Sequence, residues 1–313
     1  MKTKLTELLG IEHPIIMGAM AWYTDSKMVS AICNAGGTGV IATGGRDLDW
    51  VRDQIRKTKE LTDKPFGVNL MLMDPKVDQV ADIVIEEKVA FATLGAGNPV
   101  PFFEKLKAGG VKVLPVIPNL KLAKRVEEKG ADAIIVEGME AGGHIGTLTT
   151  MAHMTNIIPN VNIPVIMAGG FGDGRGIAAA LLMGAAGVQI GSRFLVSHES
   201  SGHPNAKQRI IEATDTDVVV TGYSRGHGVR GLRSKFTDEY IAMEVSGVPQ
   251  DELNKFATGT NKKAAIDGDC EYGLVQVGQS VVPITKEMSI KEIVDELMEE
   301  TVKTLQKAPD LLK

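Results

Sequence analysis

One histidine stands where its chemistry could be used. His144 lies near the end of the run Glu137–Gly146, whose letters are EGMEAGGHIG. An imidazole titrates near neutral pH, so at the rim of an active site it can donate or accept a proton. The paired glycines before it favour a mobile loop. We therefore interpret His144 as a catalytic residue, with a surface histidine of no special role as the alternative.

Two other glycine-rich stretches have the composition of a phosphate site. The first is AGGFGDG at Ala168–Gly174, and the second is QIGSR at Gln189–Arg193. Each follows a short apolar run. Backbone N–H groups of such turns, together with a helix N-terminus, bind phosphate at the ends of the last two strands of many barrels. Two tight turns that simply need positive φ are the alternative.

The elements that would carry these features are short apolar runs alternating with amphipathic stretches. Uniformly apolar runs of this length indicate parallel strands covered on both faces. Eight strand–helix repeats predict an α/β fold, a (β/α)8 TIM barrel, with an open doubly wound sheet as the alternative. The eight runs are His13–Gly18, Gly39–Thr43, Phe66–Met73, Val89–Gly95, Val111–Ile117, Ala133–Glu137, Pro164–Ala168 and Gly187–Gly191.

In such a barrel the active site lies at the carboxyl ends of the strands. The first run ends in Gly18-Ala19-Met20, whose small residues would let a ligand approach the backbone. Asn69 is a polar residue inside the third apolar run. Its amide either is satisfied within the core or points at a polar ligand ring.

The regular pattern stops near His198. Residues 200–284 are polar and glycine-rich with scattered helical patterns, which predicts a smaller, mainly helical second domain. Residues 1–199 and 285–313 would then form the barrel domain. Ser289 and Glu292 form a capping-box pattern ahead of the amphipathic stretch Ser289–Lys307, so we expect a helix there that packs on the barrel.

Composition excludes several classes of protein. The 313 residues carry a net charge of −5, which argues against a general nucleic-acid coat. Two cysteines, Cys33 and Cys270, cannot form a disulfide scaffold or an all-cysteine zinc site. No signal peptide, membrane helix or acidic metal cluster is visible. We therefore expect a cytoplasmic protein that binds no nucleic acid, membrane or metal, with a homodimer left open.

Two patterns in the second domain need a decision. GYSRG at Gly222–Gly226 matches a hydrolase nucleophile elbow, but that fold needs a later acid and histidine, and only His227 follows. We interpret the match as accidental. Arg225, Arg230, Arg233 and Lys235 form a basic cluster in an acidic chain. It is either a solvated face or a docking surface for an anionic carrier protein or for nucleotide phosphates.

Several motifs together resemble one family. They are Met20-Ala21-Trp22, KPFGVN at Lys64–Asn69, GAGNP at Gly95–Pro99, the run Glu137–Gly146, and Ala168-Gly169-Gly170. This set is similar to the flavin-dependent enoyl-acyl-carrier-protein reductases of bacterial fatty acid synthesis, from Thr3 into the C-terminal helix. The wider superfamily includes the nitronate monooxygenases. The resemblance implies an FMN-binding TIM barrel with a small second domain.

The resemblance also implies roles for individual residues. His144 would be the active-site histidine. Three positions depart from many relatives, namely Met17, Ala19 and Ser192, although Ser192 keeps a hydroxyl. The implied cofactor-binding residues are Gly18, Ala19, Met20 and Asn69 at the flavin ring, Gly169, Gly170, Gly191 and Ser192 at the phosphate with Gln189 nearby, and also Glu137, Gly143 and Ala168.

The expected function is an FMN-dependent enoyl-acyl-carrier-protein reductase. NAD(P)H would be the electron donor and an enoyl thioester on acyl carrier protein the substrate, reduced at its 2,3-double bond during fatty acid elongation. The cofactor would carry the hydride, and the protein would supply placement and electrostatics. Nitronate monooxygenase and a non-catalytic flavin-binding barrel are the alternatives, because fold alone does not separate them.

Overall fold

The computed structural model describes residues 1–312, and eight parallel strands in it form a closed barrel. The barrel closes where the first strand pairs with the last, with Ile15 opposite Val188 and Met17 opposite Ile190. The barrel prediction is therefore confirmed, and the open sheet was wrong. The barrel strands are β1 (Ile15–Met17), β2 (Thr38–Ile41), β3 (Gly67–Met71), β4 (Phe91–Gly95), β5 (Lys112–Ile117), β6 (Ile134–Glu137), β8 (Val165–Ala168) and β9 (Gly187–Ile190).

The strands are short because both of their faces are buried. All four residues of β2 and all four of β8 are inaccessible or nearly so. Such strands need no alternation of polar and apolar residues, since helices cover the outside and side chains fill the inside. The barrel helices that cover them are α1 (Lys4–Leu9), α2 (Ser26–Asn34), α3 (Leu48–Leu61), α4 (Val77–Glu86), α5 (Phe103–Ala108), α6 (Leu120–Glu128), α7 (Thr150–Ile157), α8 (Gly174–Leu182) and α9 (Ser192–Leu195).

The C-terminal helix α14 (Ile290–Lys307) returns to the barrel and packs against α8 and α2. Ser289 and Glu292 form the expected capping box at its start. Its contact with α8 is very close, because a Cβ on Gly174 would lie 2.4 Å from the carbonyl oxygen of Leu297. The Thr301 hydroxyl donates to the Gly174 carbonyl at 3.1 Å. Across residues 1–312, no helix has the length and apolar character needed to cross a membrane.

Residues 200–284 contain a small sheet as well as helices. The helices are α10 (Pro204–Ile211), α11 (Lys235–Val245), α12 (Gln250–Ala257) and α13 (Thr260–Ala265). The strands β10 (Val218–Thr221) and β11 (Val229–Leu232) are antiparallel, and β11 also pairs with β7 (Gly143–His144) from the loop after β6.

A separate apolar cluster supports these elements. Phe236, Tyr240, Leu253 and Leu274 are all buried within it. The rings of Phe236 and Phe256 stack with their centroids 5.3 Å apart. Since this cluster packs around α11 and α12 away from the barrel interior, it holds β10 and β11 in place, and through β11 it holds β7.

Candidate active site

Two adjoining cavities lie at the carboxyl ends of the barrel strands. The larger, here called the chamber, has a volume of about 330 Å³. The smaller, here called the end pocket, has a volume of about 100 Å³. Because they share walls, they form one cleft with a wide part and a narrow end. The shared residues are Ala19, Met20, Glu137, Gly142, Gln189, Gly191 and Ser192.

The structure brings every residue of the predicted site to this cleft. Asn69, Gly143 and His144 line the chamber alone, and the remaining residues line the end pocket alone or both cavities. Those in the end pocket alone are Gly18, Ala168, Gly169 and Gly170. The ends of five barrel strands, β1, β3, β6, β8 and β9, with the segments that follow them, therefore converge as the barrel geometry requires. Their roles toward a cofactor remain predictions.

Asn69 combines the two explanations considered for it. Its Nδ2 donates to the Thr93 hydroxyl on the neighbouring strand at 3.0 Å. The same residue lines the chamber. The barrel thus satisfies one side of the amide and fixes its orientation, while the residue still faces the space where a ligand ring would lie.

The end pocket is built from backbone. Gly169 and Gly170 have φ of +88° and +84°, a conformation that favours glycine. A Cβ on Gly169 would lie 2.7 Å from the Gly138 carbonyl oxygen. At Gly191 a Cβ would meet only the Met20 side chain, at 3.6 Å, so that position is open toward the cleft. The pocket is walled mainly by glycines and the Ser192 hydroxyl, together with Glu137 and Glu140, and its volume admits a phosphate group.

Part of the end pocket comes from a segment that carried no motif. Gly278 and Ser280 line it, and the Gly278 N–H donates to the Ser192 hydroxyl oxygen at 2.8 Å. The same segment presses on the loop after β6, because a Cβ on Gly142 would lie 2.6 Å from the Val277 carbonyl carbon. Gln276 and Asn261 similarly reach the chamber. Only the glycine at 278 could have signalled this contact in the sequence.

His144 lies on a strand and not on a free loop, which corrects the expectation of a mobile segment. It is paired with Val229 across β7 and β11, and the Ile145 N–H donates to the Gly228 carbonyl at 3.0 Å. Its side chain is accessible from the chamber. Desolvation, and then the nearby charge of His227, lower the pKa of His144 below its usual value. This shift favours the neutral form of the imidazole.

Glu137 and Glu140 belong to the same motif but differ in their surroundings. Glu140 accepts hydrogen bonds from the Thr150 N–H at 2.9 Å and the Thr150 hydroxyl at 3.1 Å, so it anchors the loop to α7. The Glu137 carboxyl lines both cavities and has no hydrogen-bond partner within residues 1–312. Desolvation raises the pKa of Glu137 to about 7. Glu137 therefore can hold or release a proton near neutral pH beside the cleft.

The basic cluster at 225–235 does not form one exposed face. Arg230 is buried, and its Nε donates to the Met139 carbonyl at 3.1 Å, which ties β11 to the loop after β6. Arg233 pairs with Asp238, and Lys235 pairs with Glu271. The Arg225 guanidinium is exposed and, within the described part of the chain, donates only to the Glu244 carbonyl, at 3.4 Å. The cluster therefore supplies one exposed cation without an ion pair, which does not make the docking surface suggested for the four together.

The serine of GYSRG is also structural. Ser224 lies in a single 3-10 turn, Tyr223–Arg225, and its hydroxyl and N–H donate to the Glu244 carboxylate. A nucleophilic serine needs a histidine base at its hydroxyl. Glu244 occupies that position, so the match to a hydrolase motif is accidental, as predicted.

Comparison with known proteins identifies the family. The model of the nitronate monooxygenase family matches residues 2–87 and 74–300. The chain belongs to this family. Within it, the chain is similar to FabK from Thermotoga maritima, with 43% identity, coverage of 99% of both chains and a TM-score of 0.96.

Other members of the family carry different activities in their names. An octahydro-indene-carboxyl-CoA dehydrogenase of Rhodococcus jostii is 40% identical over 79% of this chain and 69% of that protein. A probable nitronate monooxygenase of Bacillus subtilis is 30% identical over 94% of this chain and 97% of that protein. All of these names describe oxidoreductases, and this member of the nitronate monooxygenase family is an oxidoreductase with a FabK-like fold.

Proposed function

We propose that this oxidoreductase is an FMN-dependent enoyl-acyl-carrier-protein reductase that uses NAD(P)H. The observation that carries the proposal is the shape of the cleft, in which a glycine-walled end pocket opens into a chamber flanked by His144. The similarity to FabK over the full length of both chains supports the same assignment. A mononucleotide flavin needs one phosphate site joined to one ring site, and the cleft offers both.

The residues present fit FMN. Gly169, Gly170, Gly191 and the Ser192 hydroxyl would hold its phosphate, and Gly278 would close that pocket from the opposite side. Asn69, fixed by Thr93, would face the ring together with the backbone at Gly18–Met20. When bound, FMN would supply hydride transfer from NAD(P)H to the β-carbon of the enoyl thioester.

His144 would serve the proton side of the reaction. As the thioester oxygen gains negative charge, the neutral imidazole can donate an N–H hydrogen bond to it, and the protonated imidazole can donate a proton to the α-carbon. Such positioned acid catalysis accelerates reactions by ~10²–10⁴-fold. The strand pairing to Val229 would hold the ring at a constant height over the chamber.

Nitronate monooxygenase is the second candidate, and the lowered pKa of His144 favours it. A lowered pKa favours the neutral imidazole, and a neutral imidazole can accept a proton from a nitroalkane carbon. The match to the nitronate monooxygenase family and to the Bacillus subtilis relative supports this alternative.

Anaerobic absorbance spectroscopy separates the two candidates. The purified protein would be mixed with NADH or NADPH, and crotonyl thioester would then be added. We expect rapid bleaching of the flavin band by one nucleotide and its return on addition of the thioester. Slow bleaching by both nucleotides, with rapid bleaching by a nitroalkane or its nitronate, would overturn the reductase in favour of the monooxygenase.

A further inference from the structure

Arg46 contacts both tryptophans of the chain. Its guanidinium carbon lies 4.5 Å from the ring centroid of Trp22 and 4.3 Å from that of Trp50. No other tryptophan is present. Contact with aromatic faces fixes the orientation of a guanidinium plane. The N–H groups lie in that plane, so they stay free to donate hydrogen bonds to a ligand.

This guanidinium has no partner of opposite charge. Within residues 1–312 it forms no ion pair and no side-chain hydrogen bond, and its Nε is fully buried and unpartnered. The nearby carboxylates are otherwise engaged. Asp25 accepts from the N–H groups at the start of α2, and Asp74 accepts from the N–H groups of Gly45 and Lys76.

A second cation reaches the same ring from residues 200–284. The Lys262 ammonium, on α13, lies 5.1 Å from the centroid of Trp22 and has no ion pair within residues 1–312. By contrast, the adjacent Lys263 pairs with Asp269 at 3.0 Å and contacts Tyr272. Arg46 and Lys262 are therefore two cations without ion pairs that both contact the ring of Trp22.

The position of this pair relates it to the chamber. Ala21, Gly44 and Asn261 line the chamber, and each is within two residues of Trp22, Arg46 or Lys262. Trp22 has a φ of +73°, a left-handed conformation that costs a bulky residue free energy. Its ring lies 3.2 Å from where a Cβ of Gly45 would stand. The backbone that carries Arg46 and Trp22 is thus strained and closely packed beside the chamber.

We propose that Arg46 and Lys262 bind a phosphate group of a molecule whose reacting end enters the chamber. The inference rests on the proposed function and deepens it. A guanidinium fork and an ammonium are the side chains that proteins use for phosphate. Two molecules of the proposed reaction carry such a group, namely the thioester, on its phosphopantetheine arm, and the nicotinamide dinucleotide.

Tryptophan fluorescence tests binding without any turnover, because both tryptophans flank Arg46. Coenzyme A and NADP⁺ would each be titrated into the FMN-loaded protein, with pantetheine as the probe that lacks phosphate. We expect at least one of the phosphate-bearing probes, and not pantetheine, to change the emission. Arg46→Gln and Lys262→Gln should each weaken that binding by about tenfold, since a hydrogen bond to a charged group is lost. Lys263→Gln is the matched control and should bind as the wild type does.

Steady-state kinetics identifies the source of the phosphate. Crotonyl-CoA would be compared with crotonyl-N-acetylcysteamine, which has no phosphate, and NADH and NADPH would be varied in turn. If Arg46→Gln and Lys262→Gln raise KM for crotonyl-CoA alone, the site binds the phosphate of the thioester. If they raise KM for NADH or NADPH alone, the site binds the phosphate of the dinucleotide.

Other outcomes would overturn the inference. An equal rise in KM for both thioesters would indicate that the substitution distorts the chamber. In that case Arg46→Lys, which keeps a cation, should show the same rise in KM as Arg46→Gln. Unchanged binding and unchanged KM values in both Gln variants would also remove the site. If the wild type reduces no enoyl thioester, the proposed function fails, yet the fluorescence titration still decides whether this site binds phosphate.

Discussion

His144 and Val229 are partners across two antiparallel strands that are 85 positions apart in the chain. The histidine therefore depends for its position on β11, which is held by the apolar cluster around Phe236. Backbone pairing fixes the height of a side chain over a site better than a free glycine loop does. Changes in the β10–β11 hairpin should consequently affect chemistry at the chamber.

The first prediction concerns His144 itself. His144→Ala should keep bound FMN and should still be reduced by NAD(P)H, because that transfer needs no proton from the protein. Reoxidation by an enoyl thioester should slow by ~10²-fold, the lower end of the range for positioned acids. Rapid-mixing absorbance measures the two half-reactions separately. Unchanged reoxidation would remove His144 from the mechanism, and a loss confined to reduction would assign it to nucleotide binding.

The second prediction concerns the buried Arg230. Arg230→Met leaves the Met139 carbonyl without its donor and should lower the free energy of unfolding by about 1–3 kcal/mol. It should also slow the enoyl half-reaction, because the loop that carries His144 loses an anchor. Arg233→Met is the control, since its exposed pair with Asp238 contributes less than about 1 kcal/mol. Urea unfolding and rapid mixing give the two readouts, and equal effects of the two variants would contradict the prediction.

The third prediction tests the end pocket. Gly191→Val should abolish FMN retention while the protein still folds, because φ at Gly191 is −113° and a Cβ there contacts only Met20. The added methyl groups would occupy the space of the phosphate. The absorbance of released flavin per chain measures occupancy, and circular dichroism checks folding. Gly146→Val, where a Cβ would meet only Pro118 at 3.8 Å, should retain FMN. Full flavin content in the Gly191 variant would refute the assignment.

The fourth prediction concerns the pH dependence of stability. Burial raises the pKa of Glu137 from an ordinary 4.5 to about 7, so between these values the folded chain holds a proton that the unfolded chain has released. Stability should therefore fall as pH rises through this window, by roughly 3 kcal/mol from this group, and should level off above it. Glu137→Gln should remove that component. Urea unfolding of both FMN-free proteins from pH 4.5 to 8 gives their free energies of unfolding, and the difference between the two isolates the contribution of Glu137. Identical pH profiles would show that Glu137 keeps an ordinary pKa.

Local patterns in the sequence were enough to predict the barrel and the glycines of the end pocket. Eight apolar runs gave eight strands within one or two residues, because a strand buried on both faces needs a continuous apolar run. The capping box at Ser289 likewise marked the start of α14, since a cap is a contact between residues three apart. The glycines at 169, 170 and 191 could be assigned to one pocket because parallel strands of a barrel all end at the same side.

Tertiary structure alone decided the features that join distant segments. The pairing of His144 with Val229, the closure of the end pocket by Gly278, and the contact of Lys262 with Trp22 each bring together residues far apart in the chain. It also decided that Glu140 is an anchor while Glu137 is desolvated and unpartnered, although both stand in one motif. Local sequence determines which chemical groups a segment carries and which secondary structure the segment forms. Which groups become neighbours, and which lose water, depends on long-range packing that no local pattern encodes.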